Sequence, residues 1–309
     1  MEKGIVLDIQ RMSTEDGPGL RTTAFLKGCN LSCEWCHNPE SISKLPAVLW
    51  HKTKCIGCLS CIDVCKQGAI SGGASGISID NSRCIGCFIC AEECPGAALV
   101  LKGTCYSVEQ LFSELIKDRE YYESAGGGVT LSGGEALLQR DFALALLKRL
   151  KQAGINTAVD TAGCLDYPTI AEAAKYTDIF LYDLKIADAA SHKAHTGASN
   201  TLILENLKKL VNTAKEIWIR TPIIPDATDS EENIAAIARF IESLNTNTIT
   251  RWELCAFNNL CISKYEMLDL EWKYKGAPLI ETAKIERLAD LAKRELTNKN
   301  IVYVKGMTK

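Results

Sequence analysis

The sequence predicts an α/β fold in which six strand–helix units form an incomplete barrel and a small cysteine-rich domain interrupts the chain. After residue 103, apolar strand segments alternate with amphipathic helix segments, which is typical of a parallel sheet with right-handed crossovers. Residues 54–102, in contrast, contain most of the chain's fifteen cysteines. We therefore predict that residues 1–53 and 103–309 build the barrel and that residues 54–102 form an inserted domain.

Composition and charge exclude several classes of protein. The chain of 309 residues is 47% hydrophobic and 24% charged, an ordinary globular balance, and its net charge of −3 argues against a nucleic-acid partner. The first residues are charged and resemble no signal peptide, and no apolar run approaches the roughly 18 residues of a membrane span. We expect a cytoplasmic protein without membrane contact. Because the cytosol keeps thiols reduced, its cysteines are expected to bind metal rather than to form disulfides.

The first predicted elements lead directly into a three-cysteine loop. Residues 4–9 and 22–26 read as strands joined by a glycine-rich turn at residues 16–19. The loop that follows, GCNLSCEWCHNP at residues 28–39, contains three cysteines in a C-x3-C-x2-C spacing. Functional loops commonly follow strand ends in this way.

Three closely spaced cysteines are one ligand short of a complete metal site. Cys29, Cys33 and Cys36 would bind three corners of a cubane iron–sulfur cluster and leave one iron open to a small molecule. The alternatives are a zinc site that borrows a distant fourth ligand, or buried cysteines without a common role.

The cysteine-rich domain contains an internal repeat. The segments CIGCLSCIDVC and CIGCFICAEEC share the spacing of bacterial two-cluster ferredoxins, in which the fourth cysteine of each copy binds the other cluster. This rule gives one ligand group of Cys55, Cys58, Cys61 and Cys94 and a second group of Cys84, Cys87, Cys90 and Cys65. A pair of zinc sites is the alternative, although four cysteines within eleven residues are denser than zinc ribbons use. We therefore predict a bacterial-type ferredoxin domain.

Regular elements resume after the repeat. A capping-box pattern from Ser107 to Gln110 predicts the start of a helix. The further predicted helices cover about 141–152, a segment beginning near 168, 202–212, 230–244 and 280–296. The predicted strands are 129–131, 156–159, 179–182, 216–220 and 251–256, with a short final strand at 301–304. Counted with residues 22–26, this makes six units rather than eight, hence an incomplete TIM-like barrel.

Polar side chains follow the predicted strands at the edge where barrels place their chemistry. They are Glu135 after Gly133 and Gly134, then Asp160, Asp183, Lys185 and Arg220. A ligand with an ammonium and a carboxylate group would need such acids and bases. The alternatives are a surface turn at Gly-Gly-Glu, helix caps at the aspartates, a solvated lysine and a structural ion pair at the arginine.

Together these residues resemble the radical S-adenosylmethionine superfamily, and more specifically the glycyl radical enzyme activating enzymes of the pyruvate formate-lyase activase type with a ferredoxin insertion. The resemblance covers nearly the whole chain. The motifs that carry it are Asp16-Gly-Pro-Gly with Arg21-Thr22, GCNLSCEWCHNPE, the two ferredoxin repeats, GGGVTLSGGE, DTAG, YDLK and RTPIIP.

The resemblance implies three 4Fe–4S clusters and assigns roles to the motif residues. Cys29, Cys33 and Cys36 match the ligands of the cluster that binds S-adenosylmethionine, and Gly133, Gly134 and Glu135 match the loop that takes the methionine amino group. Further cofactor contacts are implied for Asp160, Thr161, Asp183, Lys185, Arg220 and Asn258. In some members the aspartates and threonine also hold a monovalent cation. The resemblance implies no catalytic side chain beyond the cluster and the cofactor.

The implied reaction is reductive cleavage of S-adenosylmethionine to a 5′-deoxyadenosyl radical, which abstracts a hydrogen atom from a glycine of a partner enzyme. A flavodoxin- or ferredoxin-type protein would donate the electron, and the chain would be a monomer. One alternative is a radical enzyme that acts on a small molecule or on another peptide. A second is an iron–sulfur electron carrier without catalysis.

The chain departs from the family pattern at two places. Ala136 follows Gly-Gly-Glu, where the family usually has proline. The segment from Cys255 to Asn258 stands where the family typically has leucine, proline, an aromatic residue and histidine. Asn258 can donate and accept hydrogen bonds but cannot carry charge. These departures suggest an unusual subfamily.

Four cysteines remain after the eleven proposed ligands are assigned. Cys105, Cys164, Cys255 and Cys261 are expected to be free cysteines.

Overall fold

A computed structural model describes residues 2–73 and 76–309. The strands are β1 (Lys3–Ser13), β2 (Arg21–Leu26), β3 (Ala47–Trp50), β4 (Ile70–Gly73), β5 (Gly76–Ile79), β6 (Leu99–Lys102), β7 (Thr104–Ser107), β8 (Gly128–Gly133), β9 (Thr157–Thr161), β10 (Ile179–Asp183), β11 (Ile217–Ile223), β12 (Ile249–Ala256) and β13 (Val302–Lys305). The α-helices are α1 (Ser60–Asp63), α2 (Ile89–Glu92), α3 (Val108–Leu115), α4 (Arg119–Ala125), α5 (Arg140–Gln152), α6 (Tyr167–Ala174), α7 (Ala189–Thr196), α8 (Thr201–Leu210), α9 (Glu231–Ser243), α10 (Ile262–Met267) and α11 (Thr282–Glu295).

A large mixed sheet forms the centre of this α/β fold. Its strand order is β13-β12-β11-β10-β9-β8-β2-β1-β7. Strands β2 and β8 to β13 pair in parallel, whereas β1 pairs antiparallel with both β2 and β7. The strands of the six predicted units are all present, and the predicted final strand, β13, pairs beside β12 as a seventh parallel strand. All seven parallel strands end at one edge of the sheet.

Local sequence signals set the start of several helices. The Ser107 hydroxyl accepts a hydrogen bond from the Gln110 amide, and the Gln110 side chain accepts one from the Ser107 amide, so the predicted capping box is confirmed. Helix α6 begins with Pro168 in its first turn behind the cap Asp166. Helix α7 was not predicted from the sequence, because its eight residues contain few apolar side chains.

The cysteine-rich segment and the strand that precedes it share a small core. β3 pairs antiparallel with β6, and β4 with β5. The buried side chains between them are Val48, Trp50, Ile70, Ile77, Ala98 and Leu99. The internal repeat is visible in the backbone, since Leu59 and Phe88, at matching positions of the two copies, both have a positive φ, 61° and 74°.

A buried arginine fixes the turn between β1 and β2. The Arg21 side chain is fully buried and donates to Thr130 Oγ1 at 2.7 Å, to the Val129 carbonyl at 2.9 Å and to the Pro18 carbonyl at 3.3 Å. Burial lowers the pKa of its guanidinium to about 10, with Asp16 acting in the opposite direction. Arg21 thus anchors the Asp16-Gly-Pro-Gly turn to β8.

No helix in the described part of the chain is long and apolar enough to span a bilayer.

Candidate functional site

A cavity of about 420 Å³ lies where the parallel strands end. The three-cysteine loop, which follows β2, forms one side of it. The predicted residues that line it are Cys29, Cys33, Cys36, Gly133, Gly134, Asp160, Thr161, Asp183, Lys185, Arg220 and Asn258. The fold therefore brings together residues from positions 29 to 258 that the sequence analysis selected one by one.

Glu135 lies behind the cavity wall rather than on it. Its side chain is fully buried, and its carboxylate accepts hydrogen bonds from Thr161 Oγ1 at 2.8 and 2.9 Å and from the Ala162 amide at 3.0 Å. Burial raises the pKa of Glu135 to about 7, although these hydrogen bonds act against the rise. Its hydrogen-bond partners within the described residues are all neutral, so a cation reaching it would stabilise the carboxylate.

The two aspartates of the cavity face separate cations. Asp183 forms an ion pair with Lys185. Asp160 accepts a hydrogen bond from Ser132 Oγ at 2.7 Å and lies 3.9 Å from Arg220 Nη1. Burial raises the pKa of Asp160 to about 6, with Arg220 acting against the rise and Asp183 adding to it. Burial would lower the pKa of Lys185, but Asp183 and Cys33 outweigh it and leave that pKa above its ordinary value.

Arg220 is held by residues that the sequence analysis did not select. Its Nε donates to Glu253 Oε2 at 3.2 Å, and its Nη2 donates to the Glu15 carbonyl. Glu253 is fully buried and also accepts from Arg251 Nε at 2.7 Å, with Lys305 Nζ at 3.5 Å. An acid inside the apolar strand RWELCA was the available signal, since a buried carboxylate requires such partners.

Helix α7 holds one side of the three-cysteine loop. The Ser32 amide donates to the Thr196 carbonyl at 2.8 Å, and the Glu34 amide donates to the His195 carbonyl at 3.1 Å. The Glu34 carboxylate also lies 2.9 Å from His195 Nδ1 and 2.7 Å from Lys273 Nζ. The loop is therefore braced by elements that follow it by more than 150 residues along the chain.

Without a metal, the thiols of this loop resist deprotonation. Burial raises the pKa of Cys29 to about 11 and that of Cys36 to about 12. A metal centre would offset this cost, because a coordinating thiol is deprotonated outright. Three thiolates suit an iron–sulfur cluster, whose ligands bind separate irons. In the described ranges no three Cys, His, Asp or Glu side chains converge as a site for a single metal ion.

The cysteines of the repeat line two further cavities. One cavity is lined by Cys55, Cys58, Cys61 and Cys94, and the other by Cys65, Cys84, Cys87 and Cys90. Each cavity thus takes three cysteines from one copy and the fourth from the other copy. The free cysteines differ in environment: Cys105 is exposed, Cys261 is buried, and Cys255 lines the large cavity.

Comparison with known proteins agrees with this architecture. Residues 81–238 match the radical SAM superfamily, and residues 54–98 match the 4Fe-4S dicluster domain. The structure resembles that of a radical SAM methyltransferase from Sphaerobacter thermophilus, with a TM-score of 0.53 at 12% identity over 97% of this chain and 76% of that one. The fold and the matched family define the class of protein as a radical S-adenosylmethionine enzyme.

Relatives that match over most of their length identify the family within this class of enzymes. The chain is 42% identical to the trans-4-hydroxy-L-proline dehydratase activating enzyme of Clostridioides difficile, over 89% of this chain and 90% of that one. It is 37% identical to the choline trimethylamine-lyase activating enzyme of Oleidesulfovibrio alaskensis, over 93% and 94%. The chain belongs to the glycyl radical enzyme activating enzymes of the radical SAM superfamily.

Proposed function

We propose that the large cavity binds S-adenosylmethionine against a 4Fe–4S cluster held by Cys29, Cys33 and Cys36, and that the chain uses it to activate a glycyl radical enzyme. The observation that carries this proposal is the cavity itself, which the three-cysteine loop shares with the polar ends of the parallel strands. When bound, the cluster supplies the electron that splits the cofactor, and the resulting 5′-deoxyadenosyl radical takes a hydrogen atom from the partner's glycine.

The charges of the cavity suit the methionine end of the cofactor. Glu135, whose carboxylate has only neutral hydrogen-bond partners, would accept the ammonium group near Gly133 and Gly134. Lys185 and Arg220 offer positive charge to the carboxylate, each already oriented by a neighbouring acid. Asp160, Thr161 and Asn258 would complete the contacts, and Asp160, Thr161 and Asp183 would provide oxygens for a monovalent cation.

The remaining cysteines would hold two further 4Fe–4S clusters, three in total with the one in the large cavity. The crossed grouping of cysteines in two cavities supports this number. We infer that residues 54–102 form an inserted ferredoxin-like domain and that residues 1–53 and 103–309 form an incomplete barrel. In support, β7 and β13 are the two outer strands of the main sheet.

The partner is proposed as a class. The relatives described above activate a dehydratase and a lyase, at 42% and 37% identity, so similarity alone does not select one of them. We propose a glycyl radical lyase, dehydratase or decarboxylase whose glycine segment enters the large cavity. The chain would act as a cytoplasmic monomer and take electrons from a flavodoxin- or ferredoxin-type donor.

Electron paramagnetic resonance tests the activation directly. The reduced protein is mixed anaerobically with S-adenosylmethionine and a candidate glycyl radical enzyme. We expect a stable glycyl radical signal, together with 5′-deoxyadenosine. A partner variant in which the radical glycine is alanine is the control and should give no signal. If 5′-deoxyadenosine forms but no candidate partner acquires a radical, a small-molecule substrate replaces this proposal. If no 5′-deoxyadenosine forms, the result favours an iron–sulfur electron carrier without catalysis.

Binding of S-adenosylmethionine should depend on pH through Glu135. Because the pKa of this buried carboxyl is raised to about 7, it holds a proton below that pH and cannot pair with an ammonium group. The affinity should therefore fall as the pH drops below 7, by up to about tenfold per pH unit. Equilibrium binding between pH 5.5 and 8 measures this.

The matched variants are Glu135→Gln and Glu120→Gln. Glu135→Gln should bind weakly at every pH and lose the dependence, whereas Glu120→Gln alters an exposed side chain and should behave as the parent protein. A Glu135→Gln profile that still follows the parent curve would assign the titration to another group.

A further inference from the structure

Helix α10 touches the three-cysteine loop from outside the cavity. The Lys264 ammonium lies 3.0 Å from the His37 carbonyl oxygen, 2.6 Å from Asn38 Oδ1 and 3.0 Å from Glu40 Oε1. These three acceptors immediately follow Cys36 in the chain. Lys264 is not among the residues that line the cavity, so it contacts the loop rather than a molecule bound there.

A single peptide group lies between this ammonium and the side of the loop that carries Cys36. The peptide between His37 and Asn38 is trans, so its carbonyl and its N–H point in opposite directions. The carbonyl accepts the hydrogen bond from Lys264. The N–H therefore points away from Lys264, toward the cavity that Cys36 and Asn38 both line. A cation on the carbonyl polarises the peptide and strengthens its N–H as a donor.

The neighbouring residue of α10 acts on the next peptide toward Cys36. Tyr265 Oη donates to the Cys36 carbonyl at 2.9 Å. The Tyr265 ring is stacked on Trp272 with 5.2 Å between centroids, and Trp272 Nε1 donates to the Glu34 carbonyl at 3.1 Å. Both rings are buried, so the donors are fixed in place. Three carbonyls of the loop region are thus held toward the segment that carries α10.

We propose that Lys264 is a positioning residue that raises the reduction potential of the cluster bound by Cys36, and that it acts through the His37–Asn38 peptide. The inference rests on the proposed function, because it takes Cys36 as a cluster ligand. Reduction adds negative charge to the cluster, and hydrogen bonds to its sulfur ligands stabilise that charge. Glu40, which is only 6% exposed, offsets much of the lysine's own charge, so the polarised peptide carries the effect.

The test is a redox titration of the reconstituted holoenzyme followed by electron paramagnetic resonance. The signal that changes when S-adenosylmethionine is added identifies the relevant cluster among the three. At a fixed potential, Lys264→Met should lower its ratio of reduced to oxidised cluster about tenfold, a shift of about 59 mV toward more negative potential. Lys264→Arg should restore most of the ratio. Lys275→Met is the matched control, since Lys275 is exposed and pairs with Glu266.

Two further variants distinguish an effect through the His37–Asn38 peptide from a direct effect of the lysine's charge. The double variant Lys264→Met with Glu40→Gln removes both charges and should keep the lowered ratio. A return to the parent ratio would show a direct charge effect and overturn the peptide route. Tyr265→Phe keeps the ring and removes only the bond to the Cys36 carbonyl. It should lower the ratio about threefold, and it tests the idea even if Lys264→Met binds less iron.

The outcomes distinguish this inference from the proposed function. If Lys264→Met and Tyr265→Phe hold full iron and titrate at the parent potential, the inference is wrong while the cluster assignment stands. If Cys36→Ala retains the S-adenosylmethionine-sensitive signal and all of its iron, the cluster assignment itself fails.

Discussion

Replacing Cys33 with alanine is expected to abolish cleavage of S-adenosylmethionine while the insertion keeps its iron. Cys33 lines the large cavity with Cys29 and Cys36, whereas the eight cysteines of the repeat line two other cavities. Removing one of only three protein ligands leaves two corners of the cluster without protein. The loss of cleavage should therefore exceed the roughly 10–100-fold that removal of an outer hydrogen-bond partner costs.

Two measurements on the reconstituted Cys33→Ala protein check this result. Chromatography of 5′-deoxyadenosine formed with dithionite measures cleavage, and the iron content should fall by about a third, one cluster of three. Cys164→Ala is the control, because Cys164 is partly buried but lines none of the three cysteine cavities, and it should retain both. Cleavage at the parent rate in Cys33→Ala would refute the ligand assignment.

Gly134→Ala is expected to disrupt the contact between β8 and the three-cysteine loop. A Cβ at position 134 would lie 2.3 Å from the Gly28 carbonyl oxygen and 3.1 Å from Cys29 Cβ. The same Gly28 carbonyl accepts a hydrogen bond of 2.7 Å from the Glu135 amide, so the loop cannot retreat without losing it. Overpacking of this kind costs about 1–3 kcal/mol, and here it would also displace Cys29, a proposed cluster ligand.

Thermal unfolding and iron content of the anaerobic protein measure the effect of Gly134→Ala. We expect a lower Tm and loss of the iron bound by the loop. Gly276→Ala is the matched control, because nothing lies within 4 Å of a Cβ built there and its φ is not in the left-handed region. Equal Tm and iron content in the two variants would show that the loop tolerates the added methyl group.

The sequence was sufficient to predict the parallel strands, since each is a short apolar run followed by glycine or a polar residue. It was insufficient for β7, a four-residue strand that directly follows the cysteine-rich segment, and for α7, which has a weak apolar face. Their structure depends on tertiary contacts rather than on local pattern: β7 pairs with β1, and α7 packs its last turn on the three-cysteine loop.

The candidate site likewise contains some residues that the sequence predicted and others that it did not. Cysteine spacing and Gly-Gly-Glu are local motifs, so Cys29 and Glu135 could be selected from the sequence alone. The sequence does not show that the Glu135 carboxylate is buried and accepts a hydrogen bond from Thr161. Glu253 and Lys264 were missed because they act on Arg220 and on the cysteine loop across long stretches of chain. The acid inside RWELCA indicates that Glu253 needs a partner, but a single sequence does not indicate which distant residue that partner is.

The pairing of β3 with β6 bears on a shortened form of this protein. Trp50 and Leu99 are paired across the two strands, so the two ends of residues 51–98 lie close together. On the proposed domain division, a tight hairpin turn that joins β3 to β6 would replace the cysteine-rich segment and keep the two strands in register. Such a shortened chain would show whether the three-cysteine loop folds without the other eight cysteines.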